Sequence, residues 1–185
     1  MGTAILIGVG AVVLLLLILT IENYNKLVKL RTKTEEAFST MDVYLVKRWE
    51  LIPKLVDVVK AYAAHEKETI RKVTELRARE YGSLSEPDKL KLNTDLTKGL
   101  GQILAVSEGY PELKSSENFL QLSRDLFQVE DEIAQSRKYY NGCVRMFNTK
   151  VETFPGNLFA GMFGFRSKPM FEATELQRTD VGVKM

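Results

Sequence analysis

From Met1 to Ile21 no side chain carries a charge, and Ala4 to Leu19 is unbroken apolar residue or glycine. About twenty residues of helix, rising about 1.5 Å each, cover the roughly 30 Å hydrocarbon core of a bilayer, and a helix satisfies its own backbone in lipid. The stretch 1–21 is therefore read as a transmembrane anchor, with Ile5, Leu6, Ile7, Val9, Val12, Val13, Leu14, Leu15, Leu16, Leu17, Ile18 and Leu19 facing lipid. A buried helix of a soluble domain shows a polar stripe, and the run Leu14 to Leu19 leaves none. A cleavable leader is the rival. It calls for a basic start and a small-residue cleavage site, whereas no Lys or Arg precedes the run and Thr20-Ile21-Glu22-Asn23 follows it.

Lys26, Lys29, Arg31 and Lys33 crowd the C-terminal flank of the run. The positive-inside rule then leaves the N-terminus outside and places residues 22–185 in the cytoplasm, as a single-pass protein. Charge is nearly balanced, with 26 Lys and Arg against 24 Asp and Glu, which gives no field suited to nucleic acid. The single cysteine, Cys143, excludes an intramolecular disulfide and suits a reducing compartment.

Beyond the anchor the pattern is helical throughout. Leu27, Leu30, Ala37, Phe38, Met41, Leu45 and Trp49 recur at spacings of three and four, and no Gly or Pro lies between Ala11 and Glu50. The anchor is thus expected to run straight into the first helix of the domain. Pro53 predicts that this helix ends near Trp49 and that a second runs from about Pro53 to Glu80, the rival being a kink in one very long helix. Tyr81 to Pro87 is the clearest loop, with Ser85 as cap, Asp88 three residues on and Pro87 in the first turn of a third helix. A fourth, from about Ser116, carries Phe119, Leu122, Leu126, Val129, Ile133, Tyr140, Val144, Phe147, Val151 and Phe154, a coiled-coil-like seam for helix partners.

The expected fold is all-α: the transmembrane helix followed by an antiparallel up-and-down four-helix bundle over residues 22–154. In such a bundle the fourth helix points back toward the lipid. What it delivers there is residues 155–171, which hold no charge before Arg166 and include Leu158, Phe159, Met162, Phe163 and Phe165. Three glycines argue against a rigid helix in this stretch. So apolar a segment must cover something, and lipid surface, a neighbouring subunit and its own bundle all stand open. The tail 172–185 is polar, of mixed charge, and expected to be mobile.

The pieces Tyr24-Asn25-Lys26-Leu27-Val28, Met41-Asp42-Val43, Lys47-Arg48, Leu51-Ile52-Pro53-Lys54-Leu55-Val56, Val59 to Glu66, Tyr110 to Lys114, Tyr139-Tyr140-Asn141, Phe147-Asn148, Phe154-Pro155 and Phe163-Gly164-Phe165, taken in order, resemble the LemA family of bacterial membrane-anchored proteins. The resemblance covers nearly the whole chain. It implies an inner-membrane helix followed by a cytoplasmic four-helix bundle, and brings no catalytic set with it.

The residues agree about chemistry. His65-Glu66-Lys67-Glu68-Thr69 starts like a zinc-protease helix, but Thr69 stands at the second ligand position and the chain has no other histidine. His65 is read as a helix-surface or packing residue. Glu35 with Glu36, and Asp131 with Glu132, are neighbours that point in different directions on a helix, so they read as solvated faces. Cys143 reads as a packed thiol beside Val144. Tyr24-Asn25 and Tyr140-Asn141 suit either a lipid interface or packing at a bundle end. No enzyme, no cofactor and no metal is expected. The expected function is that of a structural or scaffold protein that self-associates as a homo-oligomer and contacts the bilayer or a neighbouring subunit through its Phe-rich segment. The alternative is an adaptor for another membrane protein, such as a protease or transporter.

Overall fold

The computed structural model describes residues 1–78 and 80–171, and among them every regular element is helical. The tail 172–185 lies outside the described residues. The helices are α1 (Gly2–Tyr62), α2 (Lys67–Arg77), α3 (Glu86–Ser107), α4 (Pro111–Ser115), α5 (Glu117–Glu152) and α6 (Gly156–Phe163), with a 3₁₀ turn at Tyr81–Ser83.

The expected break between Trp49 and Pro53 is absent, because α1 runs through Pro53 to Tyr62. A proline inside a helix costs about 3 kcal/mol. Ile52, Leu55, Val56 and Val59 are all buried around it. Burial of side chains of that kind stabilises by about 1.5–3 kcal/mol each, so packing outweighs the lost backbone bond. The chain turns instead at residues 63–66. There the Ala63 amide still bonds the Val59 carbonyl (2.8 Å), while Glu66 N–H donates to Ala63 O (3.0 Å). The predicted second helix is accordingly shortened to α2.

Other boundaries follow the sequence closely. Ser85 caps α3 by accepting from the Asp88 amide (3.4 Å), with Pro87 in the first turn. In α5 the residues Phe119, Leu126, Ile133, Tyr140, Val144, Phe147 and Val151 of the predicted seam are buried and Leu122 and Val129 half-buried, whereas Phe154 lies past the helix end and is 79% exposed.

Packing divides the chain into two units, one formed by Met1–Ser39 with Lys138–Met170, the other by Thr40–Arg137 with Phe171. In the first unit Leu27 of α1, Phe147 and Val151 of α5, Ala160 of α6 and Phe165 form a common core, with Val28, Leu30 and Phe159 packed against it. Phe38 meets Tyr140 edge-on at 5.7 Å between centroids, and Cys143 is buried and unoxidised. In the second unit α2 packs on α3, where Gly99 leaves room for Val73: a Cβ at Gly99 would stand 2.9 Å from Val73 Cγ2.

Candidate membrane-contact site

The residues read as the anchor are exposed on every side. Ile5, Leu6, Ile7, Val9, Val12, Val13 and Leu14 through Leu19 are all at least 40% exposed. No other part of the described chain covers them. Among the described residues α1 is the one helix long and apolar enough to cross a membrane.

Directly beyond that run the C-terminal segment comes to rest on α1. The ring of Tyr24 meets Phe163 edge-on with centroids 4.8 Å apart and Phe165 at 6.0 Å. The Arg31 guanidinium lies over the Phe165 ring at 5.4 Å, and Phe147 reaches the same ring from α5 at 6.4 Å. Contrary to the expectation from its glycines, Gly156–Phe163 is helical, and two of those glycines explain why. A Cβ on Gly156 would stand 2.1 Å from the Lys150 carbonyl oxygen, so only hydrogen fits where α6 begins against the end of α5. Gly164, at φ +74°, then closes the helix in the left-handed conformation, and Phe165 N–H donates to Ala160 O (2.9 Å).

This geometry splits the five segment residues singled out from sequence. Phe165 is buried and Phe159 half-buried, so both serve the core of the first unit. Leu158 (63% exposed), Met162 (62%) and Phe163 (43%) face outward. Fold-back therefore accounts for one side of α6 and leaves the other apolar and uncovered. The segment after α6 is held by side chains that sequence reading did not single out for this role. Asn148 Nδ2 donates to the Lys168 carbonyl (2.8 Å), and Lys168 N–H donates to Asn148 Oδ1 (2.9 Å). Tyr140 Oη–H donates to the Pro169 carbonyl (3.0 Å), so Tyr140 takes the packing role. Lys150 Nζ donates to Asn23 Oδ1, and Asn23 in turn donates to Leu19 O (2.8 Å), fastening α5 to α1 where the apolar run ends.

Over 149 of its residues, 37–185, the chain matches the model of the LemA family. The chain belongs to the LemA family. Among curated relatives it is 28% identical to Protein LemA of Metamycoplasma hominis over 158 residues, covering 85% of this chain and 72% of that protein. It is also 32% identical over 73 residues to the magnetosome protein MamQ 2 of Paramagnetospirillum magneticum, covering 40% of this chain and 27% of that one. The magnetosome protein MamQ of Magnetospirillum gryphiswaldense is 28% identical over 72 residues, spanning 39% of this chain and 26% of its own. LemA is a name without a catalytic activity attached to it, and membership is consistent with the membrane association that the apolar N-terminal helix implies.

The second unit of this LemA-family protein holds a different concentration of polar groups. Arg48 is 1% exposed, yet its guanidinium donates to Glu130 Oε1 (2.7 Å), Thr97 Oγ1 (2.8 Å), Asn93 Oδ1 (2.6 Å) and Asn93 O (3.0 Å). Tyr81 Oη–H donates to Asp42 (2.7 Å), and Lys89 Nζ bonds the other oxygen of that carboxylate (2.8 Å). Burial, reinforced by the Asp42 carboxylate, pushes the Tyr81 phenol well above its ordinary value. Such a network fixes helix register. His65 is exposed in the turn after α1 rather than on a helix surface. Among the described residues no group of three His, Cys, Asp or Glu side chains is placed to hold a metal.

Proposed function

We propose that this LemA-family protein is a non-enzymatic, membrane-anchored structural protein that rests the outer side of α6 on the lipid surface beside its own anchor. The observation that carries the reading is the Tyr24–Phe163 ring contact. Tyr24 stands three residues past Ile21, about 4.5 Å of helical rise. The polar layer on each side of the hydrocarbon is roughly 5–7 Å deep. Phe163 and the exposed Leu158 and Met162 thereby fall at headgroup depth, where apolar side chains are stabilised by partial insertion. On this reading the anchor 1–21 spans an inner membrane of a bacterium, the N-terminus lies outside, and α1, α2, α3 and α5 form an up-and-down four-helix bundle in the cytoplasm.

A spin label on Leu158→Cys, read in the full-length protein in lipid nanodiscs, tests this. Cys143 is buried and stays unlabelled. The label is expected to be more accessible to oxygen than to a water-soluble nickel complex. Accessibility to nickel equal to that of a label at the exposed Ser39 would overturn the reading.

Assembly is the second part of the proposal. Leu120 and Phe127 lie seven residues apart on α5, and both are exposed, at 40% and 61%. Such a pair suits a second copy of the chain or, in the adaptor reading, another membrane protein. Mass measurement in mild detergent separates the two: oligomers lost on changing both residues to Ser support self-association, while a monomer at all concentrations removes it.

A further inference from the structure

We infer that the first unit selects membranes rich in anionic glycerophospholipid headgroups, an inference that rests on α6 lying at the lipid surface. The nearly neutral chain is not neutral in its parts. Met1–Ser39 and Lys138–Met170 carry nine Lys and Arg against four Glu, whereas Thr40–Arg137 carries fifteen against seventeen Asp and Glu. The excess of positive charge thus sits in the unit that bears the anchor.

Depth decides which of these charges count. Lys26 and Lys29 stand five and eight residues beyond Ile21, about 7.5 and 12 Å of helical rise. Measured from the outer edge of a polar layer roughly 7 Å deep, Lys29 is about 5 Å out, whereas Lys33, at about 18 Å of rise, is about 11 Å out, beyond the roughly 8–10 Å over which salt screens a charge. Lys150 ends on the Asn23 amide oxygen, which leaves its charge uncompensated at the depth of Asn23. Arg166 is exposed and directly follows Phe165, whose ring lies 6.0 Å from that of Tyr24. Against these four cations stand Glu22 and Glu152, the latter accepting from Ser167 Oγ (2.7 Å). The band is therefore net positive where lipid phosphates lie. Lys26, Lys29 and Arg166 are exposed and form no ion pair among the described residues.

The α6 sequence itself, Gly156 to Phe163, has no charged residue. Apolar depth from Leu158 and Met162 and charge from the flanking cations are consequently separate contributions, and an anionic lipid surface supplies partners for both. A nucleic acid offers phosphates without an apolar layer.

Tryptophan fluorescence of the full-length Leu158→Trp protein in nanodiscs with brominated acyl chains tests the inference, the parent with Trp49 alone giving the background. Discs of phosphatidylcholine are compared with discs containing one-third phosphatidylglycerol. Quenching is expected several-fold stronger in the anionic discs, with the difference lost in high salt and in a Lys26→Gln, Lys29→Gln, Arg166→Gln protein. Equal quenching in both lipids overturns the selectivity while leaving α6 at the surface. Quenching in neither overturns the surface contact and the selectivity with it.

Discussion

Asn23 and Lys150, 127 residues apart in sequence, join α1 to α5, the Lys150 ammonium donating to the Asn23 side-chain oxygen while Asn23 donates back to the Leu19 carbonyl. The bond lies where the apolar run of α1 gives way to its polar continuation. It brings α5 to the base of the anchor and so sets the starting point of α6, which begins only six residues after Lys150.

That starting point admits hydrogen alone at position 156, since a Cβ there would stand 2.1 Å from the Lys150 carbonyl. Gly156→Ala is expected to dislodge α6 while leaving α5 and the second unit intact. Hydrogen exchange should show faster labelling over residues 157–165, with thermal unfolding of the remainder changed by less than about 1 kcal/mol. Unchanged protection of that stretch would contradict the packing described.

Tyr24→Ala removes two edge-on aromatic contacts, each worth about 0.5–1.5 kcal/mol beyond the area they bury. Its effect should be local. Protection around Phe163 and Phe165 is expected to fall about tenfold, while Tyr24→Phe, which keeps the ring, should match the parent.

Arg48 supplies four hydrogen bonds from a position 1% exposed. Arg48→Ala strands Asn93 and Glu130 and should cost about 3–5 kcal/mol, a large share of a stability of about 5–15 kcal/mol. Chemical denaturation of the full-length protein in detergent measures it. A loss below 1 kcal/mol would mean that water replaces the guanidinium freely.

The Tyr81 phenol titrates above its ordinary 10.0 because it is buried and bonded to Asp42. A group whose folded pKa is raised binds its proton more tightly in the folded state, so the stabilisation is complete below pH 10 and is lost as pH climbs above it. Stability should fall more steeply above pH 10 in the parent than in Tyr81→Phe. Parallel curves would remove Tyr81 as the cause.

Where local rules act alone, the sequence was legible. Ser85 and Pro87 announce the start of α3, and the apolar spacing of α5 names its buried face from Phe119 to Val151. Pro53 misled because the burial of Ile52, Leu55, Val56 and Val59 overrides a local preference. The turn at Ala63–Glu66 has neither glycine nor proline to announce it; a buried Ala63 and a Tyr110 hydroxyl on Glu66 (3.1 Å) accompany it instead. Arg48 entered the sequence reading only as half of the Lys47-Arg48 piece of the family resemblance, with no role of its own. Its register with Met41, Leu45 and Ile52 on the buried side of α1 was the readable sign, though its partners, as far away as Glu130, were not. The apolar content of α6 was plain, but its division into a covered and an open side depends on Gly156 meeting Lys150, which no spacing rule encodes.

The clasp of Asn148 on Lys168 touches main-chain atoms only, one donor and one acceptor. It is thus indifferent to which side chain stands at 168, provided the residue has an amide hydrogen, and the next position is already proline. Hydrolysis of the Asn148 amide to Asp, which changes the side chain by a single group, would set a carboxylate oxygen against the Lys168 carbonyl and turn a grip into a repulsion. Ageing of one asparagine would then loosen the segment that follows α6, leaving the Tyr140 hydroxyl on the Pro169 carbonyl to hold it.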